Sequence, residues 1–172
     1  MPELEQLCAD HAPAVLAFEL ANRAYFAASI SDRGDDFFEQ FPDRHSTALA
    51  EQEDGGCAFY VLVDADGSVL GRFNLYDLKD GTANLGYRVA QRVAGRGMAT
   101  LSVLKLCRIT PARHGLHTLR AATSDANVAS RRVLVKAGFS QVGPAEPKDL
   151  GGKSGFWYQR ELQPPGSEST TG

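Results

Sequence analysis

Cysteine is scarce, and what there is does not suit cross-linking. Cys8, Cys57 and Cys107 are odd in number, widely spaced and free of any Cys-x-x-Cys pair. A disulfide framework is therefore excluded, and reduced thiols in a cytoplasmic protein are expected. Long apolar runs are missing as well: nothing approaches the roughly 18 residues of a membrane span. The start, Met1-Pro2-Glu3-Leu4-Glu5, has neither the basic nor the apolar segment of an export signal. Positive charge is not in excess. Net charge is −3, and Arg108, Arg113, Arg120, Arg131 and Arg132 are scattered between acidic or apolar neighbours. Neither nucleic acid nor a membrane surface is expected as a partner. A metal is not expected either. His114-x-x-His117 straddles a predicted helix end, with no Cys, His or carboxylate cluster beside it.

What is present is ordinary for a soluble domain: 172 residues, 43% hydrophobic and 23% charged. One domain is expected over residues 1–162, followed by a polar, disordered tail at 163–172. Periodicity predicts a strand near 4–7, an amphipathic helix over 11–28, a short helix at 35–41 and another to 53. A meander follows, with strands at 57–63, 69–76 and 83–89. A long helix at 97–113 carries Pro111, which should kink or shorten its last turn. Next come a strand at 117–123 and a helix at 128–137, capped by Asn127 or Asp125 and stopped at Gly138. A hairpin of 139–143 and 156–162 closes the chain. This order implies an α/β sheet of mixed polarity with helices on both faces.

The chain is organised around Tyr87 to Thr100. A strand end there runs into Arg92-Val93-Ala94-Gly95-Arg96-Gly97 and then into the long helix. Two glycines allow a turn whose N–H groups converge, and the helix aims its unpaired amides and positive dipole end at the same point. That arrangement suits a phosphate or pyrophosphate; a turn that needs glycine only for its positive φ is the plain alternative. Two familiar phosphate loops are excluded. Four residues after Gly95 comes Ala99, and Thr100 then stands where a Gly-x-x-x-x-Gly-Lys-Ser/Thr loop would have its second glycine. Thr100 also fills the third-glycine position of a dinucleotide fingerprint, and Arg120-Ala121-Ala122 offers no ribose-binding acid.

Arg92-x-x-Gly95-x-Gly97-x-Ala99 resembles the Gln/Arg-x-x-Gly-x-Gly/Ala signature of the GCN5-related N-acetyltransferases. A second block, Asn127-x-x-Ser130 with Gly138-Phe139, is similar to the Asn-x-x-Ser…Gly-Phe segment of that superfamily, above all of its ribosomal-protein N-terminal branch. Glu19 to Phe26 is similar to that branch's first helix. The resemblance spans about residues 10 to 162.

It implies a mixed, mostly antiparallel sheet with a splayed cleft for acetyl-CoA, an amine acceptor, and a monomer or homodimer. Cofactor binding is implied for Tyr87, Arg88, Val89, Arg92, Ala94, Gly95, Arg96, Gly97, Met98, Ala99, Thr100, Asn127 and Ser130. Within this set the strand edge at Tyr87–Val89 would pair with pantetheine, and the N–H near Val89 would polarise the thioester carbonyl. Ser130 is implied near the leaving sulfur, against an ordinary helix serine. Tyr87 is the weaker alternative acid, because Val133, Leu134 and Val135 fill the helix where many relatives place a tyrosine. Asn22, Arg23 and Tyr25 would wall the acceptor pocket, with Arg23 free to pair instead with Glu19. A magnitude favours an α-amine acceptor. Deprotonating one of pKa about 7.7–8.0 at pH 7 costs roughly 1–1.4 kcal/mol, against about 4.6 for a lysine amine. A peptide N-terminus is the expected acceptor. A small amine (amino acid, polyamine or amine antibiotic) and a non-catalytic CoA sensor remain the alternatives.

Overall fold

The structure is a computed structural model that describes residues 2–166. Of the expected tail, residues 163–166 form no helix or strand and 167–172 lie outside the described residues. The strands are β1 (Glu3–Gln6), β2 (Ala58–Val63), β3 (Val69–Lys79), β4 (Thr82–Val89), β5 (Thr118–Ser124), β6 (Ser140–Ala145) and β7 (Gly155–Glu161). The helices are α1 (Ala12–Ala21), α2 (Arg23–Ala27), α3 (Asp35–Glu39), α4 (Phe41–Glu53), α5 (Met98–His114) and α6 (Val128–Lys136). Among the described residues no helix is long and apolar enough to cross a membrane.

The strands form one seven-stranded sheet in the order β1-β2-β3-β4-β5-β7-β6. Every neighbouring pair is antiparallel except β4–β5. The mixed, mostly antiparallel α/β sheet is thus present. Alternation along β3 and β4 buries Phe73, Leu75, Ala83 and Leu85 under the helices, together with Val103 and Leu106 of α5 and Leu134 of α6. Successive residues of β4 show that both faces are covered. Tyr87 reaches Ser130 of α6, whereas Arg88 reaches Glu19 of α1.

The parallel β4–β5 ladder is short. It pairs Thr82, Ala83 and Asn84 with Thr118, Leu119 and Arg120. Beyond it β4 stays with β3 as far as Val89–Gly71, and β5 stays with β7 as far as Ser124–Gly155. From Leu85 onward the two central strands therefore part, which opens a cleft in the middle of the sheet.

Three details differ from expectation. The first helix breaks at Asn22, whose amide donates to Phe18 O at 2.9 Å and accepts Gln91 N–H at 2.9 Å. A side chain that bonds the backbone in this way competes with helix continuation. Pro111 does not shorten α5, which runs on to His114 before Gly115 (φ 66°) stops it. So near the end, the missing N–H costs a single helical bond. The Pro- and Gly-rich connection of the closing hairpin, where no element was expected, holds a 3-10 turn at Pro147–Leu150.

Candidate active site

The turn after β4 is fixed from both sides. Ala90 N–H donates to Leu70 O at 2.8 Å, Gln91 N–H is held by Asn22, and Val93 is buried at 7% exposure. Gly95 and Gly97 then take φ of 77° and 79°. A Cβ at either would meet nothing within 4 Å. Backbone conformation, not crowding, calls for glycine here, and the space before the turn is open. The first bond of α5 runs from Leu101 N–H to Gly97 O at 3.0 Å, and no side chain caps the helix. The amides of Gly97 to Thr100 thus have no acceptor within the helix. A diphosphate fits this cradle.

Further along the cleft, Tyr87 and Ser130 meet, with Oη and Oγ 3.1 Å apart. Tyr87 also stacks on its cross-strand neighbour Phe73, ring centres 5.7 Å apart. Burial pushes the phenol up to about 12, partly offset by the bond to Ser130. It is therefore protonated at neutral pH, a donor and not a base. Asn127 Oδ1 caps α6 through Ser130 N–H at 3.1 Å, and Asn127 also lines the cleft.

On the opposite face lies a charge cluster. Glu19, 1% exposed, accepts from Arg72 at 2.9 Å, Arg33 at 3.2 Å and Arg88 at 3.3 Å. Arg88 also lies 4.8 Å over the Phe26 ring. Burial, then the neighbouring guanidinium of Arg33, pushes Arg88 down to about 10, with Glu19 opposing; it stays charged at pH 7.

Two cavities use these groups. The first, about 420 Å³, runs from the glycine turn along Val89 to α6. The second, about 380 Å³, lies between Tyr76, Thr123, Asp149 and Lys153. They share Ser29, Ile30, Tyr87, Arg88, Asn127 and Ser130, so they meet at the Tyr87–Ser130 pair. Lys153 donates to Ser29 O, tying the α2–α3 loop to the β6–β7 connection over this junction.

Of the residues expected at the cofactor, Tyr87, Arg88, Val89, Ala94, Gly95, Gly97, Met98, Ala99, Thr100, Asn127 and Ser130 line the first cavity. Arg92 and Arg96 do not; Arg92 donates to Ser68 Oγ at 3.1 Å, and Arg96 is exposed. Of the expected acceptor residues Tyr25 lines that same cavity, while Asn22 faces inward. Arg23 neither pairs with Glu19 nor lines a cavity. It holds Asp32 at 2.8 and 3.1 Å and Asp35 at 2.8 Å, which keeps the Asp32 carboxyl down at about 2. Sequence reasoning missed Arg132 and Lys136 in the first cavity and Lys153 in the second. The spacing of Ala129, Arg132, Val133 and Lys136 on one face of α6 was a readable signal for the first two.

Comparison with known proteins agrees with this geometry. Residues 3–140 match the Acetyltransferase (GNAT) domain. No curated protein matches the chain in sequence. Among solved structures it is similar to the ribosomal-protein-S5-alanine acetyltransferase of Vibrio fischeri, with TM-score 0.85 and 18% identity over 94% of this chain and 93% of that one. Mycobacterium smegmatis RimJ in complex with CoA-disulfide gives TM-score 0.81 and 22% identity, over 92% of this chain and 80% of that one. Spermidine N-acetyltransferase from Vibrio cholerae, in complex with CoA and spermine, gives 0.74 and 14%, over 94% and 95%. By its domain match, this chain belongs to the GNAT family of acetyl-CoA-dependent acetyltransferases.

Proposed function

We propose that this acetyltransferase modifies the α-amino group of a peptide or protein N-terminus. The observation that carries the reading is the meeting of two cavities at Tyr87 and Ser130, one ending in the glycine-turn amides and the other open to an acceptor. Acetyl-CoA, when bound, supplies an acetyl thioester for attack by a neutral amine.

The chain's own groups divide the work. The amides of Gly95 and of Gly97 to Thr100 would hold the diphosphate, with Arg132 and Lys136 adding positive charge along the same cavity. The edge of β4 from Leu85 to Val89 is without a β5 partner and lies open to the pantetheine arm. Ala90 N–H points to β3. Backbone alternation therefore turns Val89 N–H toward the cleft, where it would polarise the carbonyl of a bound thioester. Ser130 Oγ–H would be the donor to the leaving sulfur, with the Tyr87 phenol, bonded to Ser130 Oγ, as a second donor. The proton lost by the amine balances the one gained by the sulfur, and an α-amine needs no strong base to lose it. The free thiols Cys8, Cys57 and Cys107 are consistent with a cytoplasmic site of action.

Thiol release from acetyl-CoA across peptides, amino acids, polyamines and aminoglycosides tests this. Turnover should be fastest with peptides bearing a free N-terminus and abolished when that terminus is blocked. Tight CoA binding without turnover on any acceptor would instead mark a CoA sensor.

A further inference from the structure

Arg72 and Arg88 are direct cross-strand partners on β3 and β4. Like charges so placed repel one another. Arg33 brings a third guanidinium to the same spot, and Glu19 supplies the single carboxylate that these three share. Arg72 and Arg88 are 11% and 18% exposed, so water screens the excess poorly. Folding alone does not call for such an arrangement. Two charged partners for Glu19 would satisfy its oxygens with less repulsion.

The three arginines differ in what else they reach. Arg33 stacks on Phe37 and Arg72 is the most enclosed. Arg88 lines both cavities where they meet, next in sequence to Tyr87 and Val89. Its guanidinium rests on the Phe26 ring, which orients the planar fork without neutralising it. Lys153 adds a second cation to the acceptor-side cavity, which Asp149 also lines. A polycationic acceptor would be repelled here, and a carboxylate would complete the charge balance.

Resting on the acetyltransferase reading, we propose that Arg88 is a specificity residue that binds a carboxylate carried by the acceptor within one or two residues of the amine. That carboxylate is either an acidic side chain early in a peptide or the α-carboxylate of a free amino acid.

Thiol-release kinetics would compare amidated peptides that differ only in glutamate, glutamine or lysine at the second residue, alongside free amino acids and their amides. The glutamate peptide, or the free amino acid over its amide, should show kcat/KM about ten- to a hundredfold higher, carried mainly by KM. Which pair shows the preference identifies the source of the carboxylate. Arg88→Gln should bring the ratio to within about twofold, while Arg88→Lys, which keeps the charge but not the fork, should retain only part of it. Equal rates within both pairs, or a ratio unchanged in Arg88→Gln, would overturn the proposal. If no acceptor releases thiol, the acetyltransferase reading fails by itself. The carboxylate site is then read by calorimetry of the same peptides on CoA-saturated protein. Tighter glutamate binding lost in Arg88→Gln supports it, and equal affinities refute it.

Discussion

Glu19 accepts from three guanidiniums within 2.9–3.3 Å while 1% exposed. Glu19→Gln would leave three half-buried positive charges facing one another, and should destabilise the fold by about 2–4 kcal/mol in urea titration. Arg88→Gln, which relieves a like-charge pair, should match or exceed the wild type in the same assay. An equal loss in both variants would remove the charge-excess argument. Tyr87 carries a pH prediction. Its folded pKa of about 12 lies above the ordinary 10.0, so the folded state keeps its proton where the unfolded chain sheds it. Its contribution is full below pH 10 and should fall away between pH 10 and 12, a slope reduced in Tyr87→Phe. Ser130→Ala should lower kcat by about ten- to a hundredfold, with acetyl-CoA affinity within about twofold. Equal turnover by the two proteins would take Ser130 out of the chemistry. Neither Tyr87's partner nor Glu19's three ligands could be read from the sequence, because each contact joins residues at least 14 apart that only the packing of helices and loops on the sheet brings together.

The turn into α5 was the most legible element. Gly95 and Gly97 both have positive φ, as a convergent amide turn requires. What the sequence did not show was the anchoring from outside, through Asn22 and Leu70. Asn22 reads locally as a polar position on an amphipathic helix, yet it ends that helix because its amide reaches Gln91. The family resemblance implied Arg92 and Arg96 at the cofactor, but Arg92 turns to Ser68 and neither side chain lines the cavity. The cations that line the cavity come from α6 instead. Arg132→Ala with Lys136→Ala should therefore raise the Kd for CoA by about tenfold, with a shallower salt dependence than wild type. Arg96→Ala should have less effect. The reverse ranking in calorimetry would move the phosphate contacts back to the turn's own side chains.

The mixed sheet followed from the alternation of strand and helix patterns, and the domain match joins it to a known family. Its splay was implied by the family resemblance alone, since no local pattern tells β4 and β5 to stop pairing after Asn84 and Arg120. That parting opens the cleft, and Arg88 and Lys153 line its second cavity. Spermidine should accordingly be a poor acceptor, with kcat/KM at least about tenfold below that of an N-terminal peptide; comparable values would contradict the charge assignment. The account depends most on the glycine-turn amides as the diphosphate site. Amide proton and nitrogen resonances followed through a CoA titration test this directly. The account predicts that Gly95, Gly97, Met98 and Ala99 show the largest saturable downfield shifts. Saturable binding that leaves those four amides unmoved while others shift would contradict it.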